Sequence, residues 1–323
     1  MTTGNPHLGE SKLDLVILSR RVAAEGVVVL ELGSSDGADL PAWEPGAHID
    51  LELANGMIRQ YSLCGSPSDR KCWTIGVLRE PESRGGSAFI HDVLKEGMTV
   101  HVVGPRNHFK LEPSGRYIFI AGGIGITPIL PMIAAADAAG ADWTLAYGGR
   151  SRGSMAFMEE LSGRGPAVSV QPFDEVGHID LASLLDHPDT SALVYCCGPE
   201  PLLSAVEGKC GNWPSGALHL ERFSAKPLEQ PSFDGPFEVE LASSGQVYTV
   251  TPGESIMEVL EDAGLDVLCS CREGVCGSCE TALISGPADH RDSVLSEDEK
   301  AQNSRIMICV SRSRTGERLV LDL

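Results

Sequence analysis

Long uncharged runs are scarce in this 323-residue chain. One stretch, Tyr117 to Ala136, is long enough for a bilayer and carries no charge, but Gly122, Gly123, Gly125, Pro128 and Pro131 interrupt it. It reads as buried strand, turn and helix, and no membrane association is expected. Met1-Thr2-Thr3-Gly4-Asn5-Pro6 has neither a secretory pattern nor a basic, Ser-rich transit pattern, so a cytoplasmic location is expected. Positive charge is also in short supply: 25 Lys and Arg stand against 45 Asp and Glu, a net charge of −20 that disfavours nucleic-acid binding. No internal repeat is present. His7, His48, His91, His101, His108, His178, His187 and His290 fall at no metal-ligand spacing and read as structural or surface residues. The dinucleotide fingerprint G-x-G-x-x-G is absent as well.

Cysteine is plentiful, with ten in the chain. Four fall in Leu268-Cys269-Ser270-Cys271-Arg272-Glu273-Gly274-Val275-Cys276-Gly277-Ser278-Cys279, and Cys309 follows downstream. Cys271, Cys276 and Cys279 stand in C-x4-C-x2-C order; with a distant fourth cysteine this is the spacing of a plant-type [2Fe–2S] cluster. Soft thiolates suit that cluster or zinc. Structural zinc, however, usually takes two short C-x2-C pairs, and only Cys276 and Cys279 form one. Gly274 and Gly277 allow a loop to wrap closely around a cluster. Ser270 and Ser278 leave backbone N–H groups free to point at sulfur. Cys269 fits the spacing worse and reads as a packed thiol. The cysteines scattered elsewhere (Cys64, Cys72, Cys196, Cys197 and Cys210) fit reduced thiols in a cytoplasm.

The first third holds short apolar runs at Leu13–Leu18, Val27–Leu32, His48–Leu53, Trp73–Leu78 and Thr99–Val103, with turns such as Asn55-Gly56. That pattern predicts an antiparallel β-barrel. Within it, Arg59-Gln60-Tyr61-Ser62-Leu63 places a cation and an aromatic on one face of a strand, able to meet a phosphate and stack on a flat ring. Arg84-Gly85-Gly86-Ser87 offers bare N–H groups where a short helix opens, a seat for phosphate. Either string alone is also what an ordinary strand or turn contains.

The middle third alternates strand and helix, which predicts an α/β domain with a parallel sheet. Tyr117–Ala121 runs into Gly122-Gly123-Ile124-Gly125-Ile126-Thr127-Pro128, with Pro128 suited to a first helical turn. Trp143–Tyr147 ends at Gly148-Gly149-Arg150-Ser151-Arg152, and Ala192–Cys196 ends at Cys197-Gly198-Pro199. A pyrophosphate beside the glycine loop would meet N–H groups and a helix dipole. Arg150 and Arg152 stand where a ribose or 2′-phosphate would lie, and Asp174 reads equally as a ribose ligand or an exposed acid. Cys197 reads as a buried small hydrophobe by its residue type alone. His219–Phe223 reads as a last strand.

Ser224 to Pro236, with three prolines, is a linker. After it come a hairpin (Phe237–Leu241, Gln246–Val250), a helix (Glu254–Gly264), the cysteine loop, a strand (Glu280–Ile284) and a strand carrying Cys309 (Met307–Val310). From Asp234 to Leu323 there are 17 acidic and 7 basic residues, an acidic surface able to steer a basic partner.

These motifs resemble, in order, the flavin domain of the ferredoxin-reductase superfamily, its G-G-x-G-x-T-P and C-G-P nicotinamide domain, and a β-grasp plant-type ferredoxin. Arg79–Ser87 looks like the FMN-binding variant. Taken together, nearly the whole chain resembles the phthalate dioxygenase reductase and vanillate O-demethylase reductase family. The resemblance implies residues 1–111 as an FMN-binding barrel, 112–225 as an NAD domain, 226–236 as linker and 237–323 as the [2Fe–2S] domain. It implies FMN contacts from Arg59, Gln60, Tyr61, Ser62, Arg84, Gly85, Gly86 and Ser87. It implies nicotinamide-dinucleotide contacts from Gly122, Gly123, Gly125, Thr127, Pro128, Arg150, Arg152, Cys197, Gly198 and Pro199. Ser62 would meet the flavin N5 region, Cys197 the nicotinamide, and Phe223 would cover the flavin. The cluster ligands would be Cys271, Cys276, Cys279 and Cys309.

Cofactor arithmetic completes the expectation. NADH delivers two electrons as a hydride and the cluster accepts one at a time, so a flavin must stand between them. The expected activity is that of an NADH-dependent oxidoreductase, the reductase component serving the terminal oxygenase of a Rieske system. The alternatives are a reductase for a cytochrome P450 or diiron hydroxylase and, in another class, a zinc-stabilised nucleotide-binding module. NADPH stays open through Arg150 and Arg152.

Overall fold

In a computed structural model of the chain, residues 11–80, 85–225 and 233–323 are described. Arg84, His7 and residues 226–232 of the predicted linker lie outside them. The chain divides into two compact units, Met1–Glu221 and Arg222–Leu323.

The strand pattern of the first third builds a six-stranded antiparallel sheet from β1 (Ser11–Ala24), β2 (Val27–Ser34), β3 (His48–Glu52), β4 (Ile58–Ser62), β5 (Trp73–Leu78) and β6 (Thr99–Arg106), in the order β4-β3-β6-β1-β2-β5. Leu63 pairs with Ile75, and Cys64 N–H reaches Thr74 O at 2.9 Å, so β4 meets β5 and the sheet closes as a barrel. Leu15, Ile17, Leu30, Leu32, Ile49, Leu51, Trp73 and Ile75 fill its interior. β1 runs well past the predicted Leu18. Its second half, Arg20 to Ala24, is polar or half-exposed and pairs only with β2, so it needs no apolar alternation to form. Helix α1 (Gly86–Asp92) follows β5.

The second sheet of this unit is parallel. It comprises β7 (Arg116–Gly122), β8 (Asp142–Gly149), β9 (Val168–Pro172), β10 (Ala192–Cys197) and β11 (Leu218–Glu221), ordered β11-β10-β7-β8-β9. The uncharged stretch from Tyr117 is β7, a 3₁₀ turn at Gly123–Gly125 and α2 (Ile126–Ala139), with Pro128 in the first turn of the helix. Short helices α3 (Met158–Leu161), α4 (Phe173–Val176) and α5 (Leu181–Leu185) and the longer α6 (Glu200–Lys209) complete it. Strand order reverses between β7 and β10, so the crevice beyond their carboxyl ends is where this topology places a ligand. Among the described residues no helix is long and apolar enough to cross a membrane.

The second unit folds around a mixed sheet of β12 (Phe237–Leu241), β13 (Val247–Val250), β14 (Glu280–Ser285), β16 (Arg305–Met307) and β18 (Leu319–Leu321), with β15 (Ala288–Asp289) and β17 (Arg312–Ser313) as a separate pair. β12 and β18 are parallel and the other pairs antiparallel. Helix α7 (Ile256–Asp262) begins at a capping box in which Ser255 and Glu258 satisfy each other's N–H groups. It buries Ile256, Met257 and Leu260. Helix α8 (Glu297–Gln302) is capped the same way by Ser296 and Glu299. Cys309 is not on a strand as predicted: β16 ends at Met307, and a turn through 308–310 carries the sulfur back.

Candidate functional site

At the topological switch, the glycine loop after β7 and the Cys197-Gly198-Pro199 turn after β10 press backbone to backbone. A Cβ on Gly125 would stand 2.2 Å from Cys197 O, so any side chain there would push the two loops apart. Thr127 is buried, donates its hydroxyl to Ile124 O at 2.9 Å, and turns its methyl toward Gly76 of the barrel. The fingerprint glycines thus serve close approach, as in the longer motif, with different spacing.

Strand β11 runs parallel to β10 and sets Glu221 beside Cys197. Ser62, at the end of β4, donates its hydroxyl to Glu221 Oε2 at 3.3 Å, and the Cys197 thiol points at the same oxygen at 3.8 Å. Burial pushes the Glu221 carboxyl up to about 8, with the two donors pulling the other way. Burial likewise raises the Cys197 thiol well above its ordinary value, and the Glu221 carboxyl adds to the effect. At neutral pH this is therefore a neutral trio of hydroxyl, thiol and carboxylic acid, brought together from both sheets of the first unit. Sequence reading named Ser62 and Cys197 but gave Glu221 no role. The available signal was an acid closing the short strand Leu218–Glu221, which aligns with the strand that ends in Cys197.

The two phosphate-seat strings also meet. The Arg59 side chain lies against Gly86, where a Cβ would be 2.5 Å from Nε and 2.7 Å from Cγ. The Ser87 hydroxyl accepts Glu80 N–H at 3.1 Å. Tyr61 packs on the barrel core, and burial raises its hydroxyl above the ordinary value. Gln60 shares β4 with them. Arg84 lies outside the described residues.

At the outer end of the crevice, β8 and β9 finish side by side, Gly149 opposite Pro172. Arg150 O accepts Asp174 N–H at 3.2 Å. The Arg152 fork closes on Glu175 at 3.1 and 2.8 Å. Phe173 is exposed and tilts against His178, ring centroids 4.8 Å apart. Phe223 follows β11, half-exposed, in the second unit rather than at the end of a strand as read from the sequence.

In the second unit the predicted cysteines converge. Cys279 and Cys309 sulfurs are 3.2 Å apart, and Cys271 Sγ interacts with those of Cys276 and Cys309. Gly274 and Gly277 take left-handed backbone, φ 69° and 71°. Backbone N–H groups of Glu273 and Ser278 reach Cys271 and Cys276 sulfurs at 3.3 and 3.4 Å. The Ser278 hydroxyl sits 3.0 Å from Cys276 Sγ and accepts Ser270 N–H at 2.8 Å. Soft donors in pairs, with N–H groups aimed at sulfur, fit a two-iron cluster. The arrangement departs from expectation in one respect. Cys269, read as a packed thiol, places its sulfur within 4.8 Å of those of Cys279 and Cys309.

Residues 239–314 match the model of the 2Fe-2S iron-sulfur cluster binding domain. The chain is 44% identical over 302 residues to phenoxybenzoate dioxygenase subunit beta of Ectopseudomonas oleovorans, covering 93% of this chain and 94% of the relative. It is 40% identical to phthalate dioxygenase reductase of Burkholderia cepacia, covering 96% and 97%. Among solved structures, an intact type IV self-sufficient cytochrome P450 monooxygenase is 42% identical with a TM-score of 0.91. That match covers 97% of this chain but 41% of the other, so the chain spans about two fifths of the monooxygenase. Phthalate dioxygenase reductase, described as a modular structure for electron transfer from pyridine nucleotides to [2Fe-2S], is 40% identical with a TM-score of 0.70, covering 97% and 98%. With such identity over nearly the full length of both chains, this chain belongs to the phthalate dioxygenase reductase family of oxidoreductases.

Proposed function

We propose that the chain is the reductase component of a two-component Rieske non-haem iron oxygenase, carrying electrons from NADH through FMN and a [2Fe–2S] cluster to the terminal oxygenase. The observation that carries this reading is the pairing, in one chain, of the neutral Ser62–Cys197–Glu221 trio with a converged cysteine set. Bound flavin and nicotinamide supply hydride transfer, and a bound cluster supplies one-electron carriage.

The chain's own residues bind and orient. Ser62 presents a hydroxyl toward the reacting edge of the flavin. Tyr61 offers a ring face and Gln60 an amide. Arg59, Arg84 and the Gly85-Gly86-Ser87 turn hold phosphate. Gly122, Gly123, Gly125, Thr127 and Pro128 admit a pyrophosphate close to the backbone, beside Gly198 and Pro199. Cys197 fills the floor beneath the nicotinamide without charge, and Glu221, protonated at neutral pH, keeps that floor neutral. Phe223 would cover the flavin face. Arg150 and Arg152 border the adenosine end. Cys271, Cys276, Cys279 and Cys309 would hold the cluster. The functional modules are residues 1–111, 112–225 and 237–323, joined by the linker 226–236. The acidic stretch after Asp234 steers the oxygenase partner.

A second reading, a reductase serving a cytochrome P450, is favoured by the monooxygenase likeness, in which a segment like this chain is part of one polypeptide. Reducing a purified Rieske oxygenase and a P450 side by side separates the two. The core of the proposal is tested by anaerobic purification with flavin extraction and sulfide assay. FMN and acid-labile sulfide are expected, with a red-brown colour that bleaches on NADH. Cys276→Ser is expected to keep NADH-dependent flavin bleaching and to lose cytochrome c reduction. Undiminished cytochrome c turnover without the cluster would overturn the electron order.

A further inference from the structure

The cysteine cluster holds one sulfur more than a [2Fe–2S] centre uses. Cys269, Cys279 and Cys309 place their sulfurs within 4.8 Å of one another, while Cys271 interacts with Cys276 and Cys309. In a tetrahedral thiolate site with bonds of about 2.3 Å, ligand sulfurs stand about 3.8 Å apart. The three sulfurs therefore already lie at nearly ligand separation around a single metal position. Cys269 is half-buried, at the end of a stretch, 265–269, that belongs to no helix or strand and so can yield by the remaining distance, up to about an ångström.

We infer that Cys269 is a reserve ligand for the iron held by Cys279 and Cys309. When either sulfur is lost, the Cys269 thiol gives its proton to solvent and its thiolate forms the Fe–S bond at the vacated position. No electron moves, and the thiolate count and the charge of the site are unchanged. The inference rests on the cluster reading above and goes beyond its four-ligand assignment. A merely packed Cys269, filling space beside the core as other half-buried apolar groups do, would show no such rescue.

The test uses the full-length chain carrying Cys309→Ser, Cys279→Ser, Cys269→Ser and the double variant Cys269→Ser/Cys309→Ser. Iron and acid-labile sulfide per chain are measured, with electron paramagnetic resonance of the reduced protein; flavin content reports on the fold of the rest. Cys269→Ser is expected to match the wild type in iron and in spectrum. Cys309→Ser and Cys279→Ser are expected to keep iron and sulfide with shifted g-values, because one ligand comes from a new direction. The double variant is expected to hold at least ~10-fold less iron than Cys309→Ser, the scale on which disturbing a metal's ligand surroundings acts. Loss of iron from both single ligand variants, with the wild type loaded and flavin retained, overturns the inference. Equal iron in the double variant and in Cys309→Ser overturns it too, since the new serine would then be the ligand. A wild type without iron or sulfide sinks the cluster reading instead.

Discussion

Glu221 shows what one partly buried acid does to a reaction site and to stability at once. Its carboxyl is held up to about 8, against 4.5 for an ordinary glutamate, mainly because burial opposes the charged form. In the folded chain it stays protonated where the unfolded chain has already released the proton. Its contribution to stability is therefore complete below pH 4.5 and declines as pH rises from there to about 8, by on the order of 4–5 kcal/mol. Glu221→Gln, neutral at every pH, should make unfolding in denaturant less pH-dependent over that interval, with the gain greatest at the alkaline end. The same variant should lose the step near pH 8 in the rate of flavin reduction by NADH, measured by stopped flow. A step that persists in Glu221→Gln assigns the titration to another group. An acid at the end of its strand is all the linear sequence shows of this glutamate; its pairing stays hidden there because its neighbours Ser62 and Cys197 come from two different sheets.

Among the elements, those with a strong period were legible. β5 and β12 occupy the very residues of the runs read as strands, and α2 has Pro128 in its first turn as expected, with Pro131 inside it. β9 was not. Val168–Pro172 is short and lies at the edge of its sheet with half-exposed side chains, so no apolar run announces it. Its absence from the sequence reading hid α4, and with α4 the partner of Arg152. In the structure Arg152 Nε and Nη2, which the proposed function sets at the adenosine end, both donate to Glu175. That pairing offsets the cation and sets a carboxylate beside any added phosphate, which favours NADH over NADPH. Glu175→Gln should raise kcat/KM for NADPH about 10-fold, the worth of one charge-assisted contact of about 1.4 kcal/mol, and leave NADH within about 2-fold. Steady-state kinetics with both nucleotides decide the matter; equal change for the two would show that Arg152 does not discriminate.

For the molecule as a whole, the order of modules was legible because each carries its own motif, but spacing cannot report which sulfurs end up adjacent. Cys269 therefore passed for filler, and the buried wiring of the second unit went unseen. The clearest case is Arg312, almost fully buried on β17. Its guanidinium donates to Glu254 O, to Thr251 O at 3.1 Å and to Gly235 O at 3.3 Å, and lies 4.9 Å from the centre of the Phe237 ring. One side chain thus ties the start of β12, the turn before α7 and β17 through three carbonyls, of which Thr251 O also accepts Glu254 N–H at 3.2 Å. Arg312→Met keeps the length and removes the donors, and losing three part-buried hydrogen bonds at about 1 kcal/mol each costs about 3 kcal/mol. For a unit of roughly a hundred residues that is a fall of about 10–20 °C in the midpoint of unfolding. Each unit buries a core of its own, so the fall should be confined to the second. On heating Arg312→Met, loss of the cluster's visible absorbance should move down by that amount while release of the flavin stays where it is in the wild type. If both transitions move together, the two units melt as one cooperative block and Arg312 stabilises more than the unit it sits in.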